Sequence, residues 1–572
     1  MFFQKINVAR KNKVLMHFVL LVTIAYFYYG AFYNYSFNLS DEGSVALISE
    51  KLYKGERPYL DITLGYGLLW FYPIVFLFKL FGIKFYLIRI YFLVLAFTSS
   101  LFAYALLLRL TEKHVIALVV ALLVLLFPGV LFQTYIPFLV ISGAYIIFLY
   151  DVKTNKARIN PWLALFINGT YLSFAFLIRG DIATIYTLIF LLYHSLSAVQ
   201  LAIIECDQKK LIIVPVRFFS IITIVVITAL PFALHAKVNG YLDGFLSQYS
   251  HFAVQLVVKV HDRYFLHPKT DALPAVGTLL TDNHPAGTLL QKPDISSFFS
   301  AEGPHALLFV TYFPLVIFIF IWWYLGIGFF VNRLNAQKLA DFIGERTYLL
   351  ILSLCAFSTF LQFFVWRPDM PHFSGFMPGF MILLAYFLFI LGQRKAKVTG
   401  IITLPRPAFY GLCFFSAIFL IAFVSVYEEG LLLRENRDFR LQMEKGIDVR
   451  LTKEEYEGIT RLVTLVKENS KPGEFVLCFP YRPGINFIAD RPTFQNSLYV
   501  DDAILNTNPM WLEKMWHDIS VRKPKVIVID NWAINNTEIS RFHNWARPLY
   551  LEILKSYRLQ DKFDAYEVFV LK

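Results

Sequence analysis

The feature that most constrains this chain is a succession of apolar runs, each long enough to cross a lipid bilayer. They fall near 14–33, 86–108, 114–131, 133–150, 161–178, 182–204, 212–234, 306–331, 347–366, 373–392 and 408–427. A hydrocarbon layer of ~30 Å needs about 20 such residues in a helix. Within it the backbone can satisfy its polar groups only as a helix or a closed barrel, so the runs predict about eleven transmembrane helices. Composition agrees, because 57% of the 572 residues are hydrophobic and only 16% charged, with 59 Phe and 33 Tyr. A soluble core cannot absorb that much apolar surface. Fibrous, disordered and nucleic-acid-binding classes are excluded.

One further apolar stretch, Leu68 to Phe81 (LLWFYPIVFLFKLF), is short and carries Pro73 and Lys79. Loop charge decides its role. If it does not cross, every short basic cluster falls on the cytoplasmic side: Lys5 to Lys13, Arg109 with Lys113, Lys153 to Arg158, Lys209 with Lys210, Arg333 to Arg346, and Arg394 to Arg406. If it does cross, all but the first move outside, against the positive-inside rule. The stretch is therefore expected as a juxtamembrane helix on the outer face. The net charge of +12 reads as topology and implies no nucleic-acid partner. The first apolar run lacks a small-residue cleavage pattern and reads as an anchor. Four cysteines without a CxxC spacing suggest neither a disulfide framework nor a zinc site.

This topology predicts a multi-pass protein of the cytoplasmic (inner) membrane. Its transmembrane domain covers 1–427, with a first outer loop at 34–85 and a long outer loop at 235–305. The long loop holds five prolines from Pro268 to Pro304, which favours short elements. After Tyr427 the composition turns mixed, so 428–572 is expected as a small α/β domain on the extracytoplasmic, periplasmic side. There a helix, Lys453 to Asn469, leads through Lys471-Pro472-Gly473 to a strand, Phe475 to Pro480. A second helix, near Met510 to Val521, leads through Lys523-Pro524 to a strand, Lys525 to Asp530. No GxGxxG or GxxxxGK[ST] motif opens these helices. The fold class is an α-helical polytopic membrane protein with a small C-terminal α/β soluble domain.

Chemistry-bearing residues gather at the outer ends of the spans. Ser40-Asp41-Glu42-Gly43 follows the first span directly. Ser40 or Asp41 could cap the next helix, but capping does not require the second carboxylate, which could help hold a divalent ion or tune its neighbour. Asp61 ends the block Gly55-Glu56-Arg57-Pro58-Tyr59-Leu60-Asp61, as a turn acid or a functional one. Arg89, Arg179-Gly180-Asp181 and Arg367-Pro368-Asp369 put arginines on the outer side, against the charge rule. Guanidinium forks bind phosphate oxygens bidentately, so Arg89, Arg179 and Arg367 are candidates for a lipid phosphate. The competing reading pairs Arg179 with Asp181 and Arg367 with Asp369. His372 follows closely, and the long loop offers His251, His261-Asp262-Arg263 and His267.

The block from Asp41-Glu42 through Gly55-Glu56-Arg57-Pro58-Tyr59-Leu60-Asp61 to Phe81-Gly82 and Arg89 resembles the polytopic GT-C glycosyltransferases. These include the protein O-mannosyltransferases, the lipid A aminoarabinose transferase and bacterial relatives. The motif likeness covers roughly the first 235 residues, and the remainder is similar in layout. It implies an inverting-type glycosyltransferase of the cell envelope that moves a sugar from a polyprenyl-phosphate donor to a hydroxyl of a glycan, lipid or other acceptor. In that family the first-loop acid is the base, here Asp41 by position, with Glu42 beside it. Arg89, Arg179, Arg367 and His372 would bind the donor phosphate, with Asp61, Asp181 and Asp369 in support. The resemblance is compatible with a divalent cation (Mg or Mn) at Asp41 and Glu42, or with none. No WWDYG-like signature is present, which disfavours a peptide acceptor. The alternatives are a lipid-linked sugar transporter or flippase, whose pathway would also carry membrane charges, and a non-catalytic envelope assembly partner.

Overall fold

The computed structural model describes residues 2–149, 159–246, 305–361, 363, 370–393, 406–427, 430–500, 504–533 and 538–572. Most of the expected outer loop 235–305 lies outside them, with His251, His261 and His267, as do Arg367 and Asp369. Among the described residues thirteen α-helices precede the soluble domain. They are α1 (Phe2–Phe32), α2 (Asp41–Tyr53), α3 (Leu68–Phe81), α4 (Phe85–Thr111), α5 (His114–Leu126), α6 (Tyr135–Ile147), α7 (Pro161–Ile178), α8 (Gly180–Ile204), α9 (Ile213–Val238), α10 (His305–Asn332), α11 (Ala336–Leu361), α12 (Met370–Gly392) and α13 (Arg406–Val426).

Among the described residues eight helices, rather than eleven, are long and apolar enough to cross a membrane: α1, α4, α7, α8, α9 with the turn before it, α10, α12 and α13. The other three expected spans are helical but differ for identifiable reasons. α5 and α6 have 13 residues each, about 20 Å at 1.5 Å per residue. Pro128 and Gly129, whose φ is +87°, interrupt the run between them. α11 has 26 residues, but Lys338, Asp341, Glu345 and Arg346 occupy its first three turns. α3, at 14 residues, is also too short to span ~30 Å upright.

Packing follows the small residues. α4 buries Ala96, Ser99, Ser100 and Ala103, which lets α5 and α6 approach closely. Ser100 donates to the Ala121 carbonyl (2.7 Å) and Thr134 to the Phe92 carbonyl (2.9 Å). Phe318, Phe357, Phe360, Phe376 and Phe380 interlock α10, α11 and α12. Between α10 and α13 runs a groove of about 580 Å³ whose lining carries no charged residue. It can hold hydrocarbon but offers no reactive group.

The soluble domain opens with a hairpin, β1 (Phe439–Met443) and β2 (Ile447–Leu451), turned by Lys445 and Gly446 at positive φ. α14 (Lys453–Glu468) begins with a capping box: Thr452 accepts from the Glu455 amide and Glu455 from the Thr452 amide. A four-stranded sheet follows, ordered β3 (Val476–Phe479), β4 (Val526–Asp530), β6 (Tyr566–Leu571), β5 (Tyr557–Phe563). β3 and β4 are parallel, in register Val476 with Val526, whereas β6 is antiparallel to both its neighbours. The sheet is therefore mixed. The short helix α15 (Pro483–Ala489) follows β3, α16 (Trp511–Arg522) leads into β4, and α17 (Arg547–Ser556) leads into β5.

Candidate active site

The turn between α1 and α2 is shaped by Asn38. Its Oδ1 accepts from the amides of Ser40 and Asp41 (2.9 Å each), and its carbonyl accepts from the Gly43 amide (3.0 Å). Capping thus falls to Asn38, and Ser40 makes no side-chain cap bond. Successive residues on a helix point about 100° apart, so Asp41 and Glu42 diverge. Asp41 is half-buried and accepts from Asn38 Nδ2 (3.1 Å). Glu42 turns inward and is 5% exposed.

Glu42 meets Arg89, itself 3% exposed. Arg89 Nε donates to Glu42 Oε1 (3.1 Å) and Nη2 to Oε2 (2.8 Å). The remaining N–H groups reach the carbonyls of Tyr33 (2.7 Å), Tyr35 (3.2 Å) and Ser36 (2.6 Å). All five donors of the fork are spent on the chain itself. This corrects the expectation for Arg89: as placed, it has no donor left for a phosphate and instead braces the 33–36 turn. It also corrects the pairing of Asp41 with Glu42 around a divalent cation. Both Glu42 oxygens already face a guanidinium, and Oε2 further accepts from the Asn38 amide (3.1 Å), so the donor set does not fit a shared metal. Among the described residues no group of three His, Cys, Asp or Glu side chains is arranged to hold one.

Arg179 sits at the break between α7 and α8 with extended backbone (φ −154°, ψ 103°). Its Nε donates to both Asp181 oxygens (2.9 and 3.0 Å), and Nη1 donates to the Tyr135 hydroxyl (2.6 Å). The internal pair is therefore formed. Nη2 makes no hydrogen bond among the described residues, and the Arg179 side chain is 15% exposed. Gly67 docks on this break: its amide donates to the Ile178 carbonyl (2.9 Å), and a Cβ there would run into the Leu177 carbonyl. Tyr66 stacks on Trp70 at 3.8 Å, and Trp70 contacts Tyr135.

Asp61 closes its own turn. It accepts from Arg57 through Nε and Nη2 (3.0 Å each) and from the Arg57 amide (2.8 Å), and these hydrogen bonds hold its carboxyl below the usual range. Its role is that of a turn acid. His372 lies half-buried in the first turns of α12.

The strongest feature lies outside the expectations drawn from sequence: the soluble domain clamps onto this loop. Ser36 donates to the Arg450 carbonyl (2.8 Å) and Arg450 to that of Asn34 (2.7 Å). Thr63 donates to Asn496 and Phe85 to Lys445. Lys51, 6% exposed, donates to the Thr493 carbonyl (3.0 Å), and Lys445 ion-pairs with the buried Glu50 (2.8 Å). Gly43 and Gly484 touch, so that a Cβ on Gly43 would lie 2.5 Å from Gly484. Arg482, just after β3, reaches Ser40. A signal was available in Tyr481-Arg482-Pro483-Gly484, because residues past the carboxyl ends of parallel strands commonly form sites.

The fold and the loop architecture define a polytopic α-helical membrane protein with a mixed α/β domain clamped on its first loop. Two solved structures are similar in overall fold. One is ArnT from Cupriavidus metallidurans bound to undecaprenyl phosphate, at 11% identity and TM-score 0.47, covering 97% of each chain. The other is the same protein in the apo state, at 11% identity and TM-score 0.48, covering 98% of each chain. No family model and no curated protein matches the sequence.

Proposed function

We propose that this chain is a membrane glycosyltransferase that moves a sugar from a polyprenyl-phosphate donor to an acceptor hydroxyl, with Asp41 as the base. The observation that carries this reading is the division of labour between adjacent carboxylates. Glu42 is buried and neutralised by Arg89, while Asp41 stays half-buried at the junction of helix bundle and soluble domain. Charged groups at the rim of a bundle sit where a lipid phosphate lies at headgroup level with its tail in hydrocarbon. The motif block from Asp41 to Arg89 supports the same class by its resemblance to GT-C enzymes.

In this reading Asp41 takes the proton of the acceptor hydroxyl, and the oxygen attacks the anomeric carbon. The bond from that carbon to the phosphate oxygen breaks with inversion, releasing polyprenyl phosphate. The departing phosphate gains charge, and Arg179 Nη2 is a donor suited to stabilise it. Asp181 holds that guanidinium in place. Arg367 and His372 are further candidates for the phosphate. The reaction would take place on the extracytoplasmic side of the inner membrane, where a glycan or lipid of the envelope supplies the hydroxyl.

The test is release of polyprenyl phosphate from a panel of polyprenyl-phosphate sugars by purified protein, with membrane extract as acceptor source. Asp41→Asn is expected to fold normally and lose at least about 100-fold in rate, the typical contribution of a positioned base. Full activity of that variant removes Asp41 from the role. No release from any donor by wild-type protein, together with tight donor binding, would favour a lipid-sugar transporter or an assembly partner.

A further inference from the structure

One side chain links the soluble domain to the turn that carries Asp41. Arg482 Nε donates to Asp530 Oδ2 (2.5 Å) and Nη1 donates to Ser40 Oγ (2.9 Å), across 442 residues of sequence. Asp530 ends β4, is 1% exposed, and accepts from the Trp532 amide (2.9 Å). The guanidinium is thus anchored on a carboxylate fixed by the central strand of a sheet. Its planar fork transmits that fixed position to the Ser40 hydroxyl. Ser40 and Asp41 are then held together, because Asn38 Oδ1 accepts from both amides.

A second contact fixes the same turn. The Gly484 amide donates to the Leu39 carbonyl (2.9 Å); a Cβ on Gly43 would lie 2.5 Å from Gly484, and one on Gly484 would lie 2.8 Å from the Leu39 carbonyl oxygen. Between α1 and α2 the Asn38 bonds and the Arg89 brace act together with the soluble domain: Ser36, at φ +61°, donates to the Arg450 carbonyl, and Arg450 to that of Asn34. Arg89 fixes the 33–36 side of the turn, and Arg482 fixes the 39–41 side.

We propose that Arg482 is a positioning residue for the Asp41 carboxylate, so that the soluble domain is a working part of the active site. The inference rests on the glycosyltransferase reading above. A base displaced by about 1 Å costs on the order of 100-fold in rate while substrate binding is retained.

The test measures polyprenyl phosphate release against donor concentration for Arg482→Ala, Arg482→Lys and Ser40→Ala in the full chain. Arg482→Ala should lower kcat about 30-fold to 100-fold with donor KM within about twofold. Arg482→Lys keeps the charge and should recover part of kcat. Ser40→Ala leaves the Arg482 to Asp530 pair intact, guards against a folding artefact, and should lower kcat about fivefold to tenfold. Hydrogen exchange of the 38–44 amides should quicken in Ser40→Ala, a readout that needs no turnover. Wild-type kcat in Ser40→Ala and Arg482→Lys with unchanged exchange overturns the proposal, as does a rise in KM with kcat intact. If wild-type protein releases no polyprenyl phosphate from any donor, the glycosyltransferase reading fails first, and exchange alone decides whether Arg482 holds the turn.

Discussion

Arg89 illustrates how little a residue's identity says about its task. In the sequence it is an arginine on the wrong side of the membrane by the charge rule, and a fork suited to phosphate. In the structure it is enclosed by Glu42 and three carbonyls. Breaking a buried pair strands the surviving charge, at about 3–5 kcal/mol. Arg89→Ala and Glu42→Ala should therefore each lower thermal stability in detergent by a comparable amount, and the double variant should cost less than their sum. Thermal unfolding followed by tryptophan fluorescence measures this. A stable Arg89→Ala protein with a raised donor KM would return Arg89 to the phosphate. The acids sort by the same logic: Asp61 is spent on Arg57, Glu42 on Arg89, and Asp41 retains partial exposure.

At the level of elements, local pattern carries far. The helices at 85–111, 161–178 and 180–204, and the strands at 476–479 and 526–530, follow from apolar period and punctuation. The final hairpin was not legible, because β5 exposes most of its residues and alternates poorly, and its place is set by pairing with β6. Docking of α3 was equally hidden. Gly65 and Gly67 look alike in sequence as turn glycines, yet a Cβ meets nothing within 4 Å at Gly65 and the Leu177 carbonyl at Gly67. Gly67→Ala should push α3 off the α7–α8 break and cost about 1–3 kcal/mol, while Gly65→Ala should stay within about 0.5 kcal/mol. Expression level and thermal midpoint of the two variants give the comparison, and equal midpoints would refute the docking account.

For the whole molecule, the clamp makes the soluble domain inseparable from the first loop. Truncation after Tyr427 would remove the partners of the Ser36, Thr63 and Phe85 amides and of the Asn34 carbonyl, and would leave Glu50 and Lys51 without Lys445 and Thr493. Unpartnered polar groups cost about 1–3 kcal/mol each where they stay buried. The truncated chain should insert into membranes but show rapid proteolysis between 34 and 67 and no polyprenyl phosphate release. Limited proteolysis of membranes carrying either form checks this. A truncated chain as resistant and active as the full one would show that the domain is dispensable.

The amino-acid sequence by itself determined the membrane class, the positions of the apolar helices and the helix-strand order that opens the tail, because these depend on properties repeated within a few residues. It also placed Asp41 and Glu42 at the start of α2. Only the tertiary structure decided which of the two faces inward, that Arg89 is a brace, and that Arg482 reaches Ser40. Those outcomes depend on groups brought together from distant parts of the chain, where burial and hydrogen-bond geometry, and no local period, select the partner.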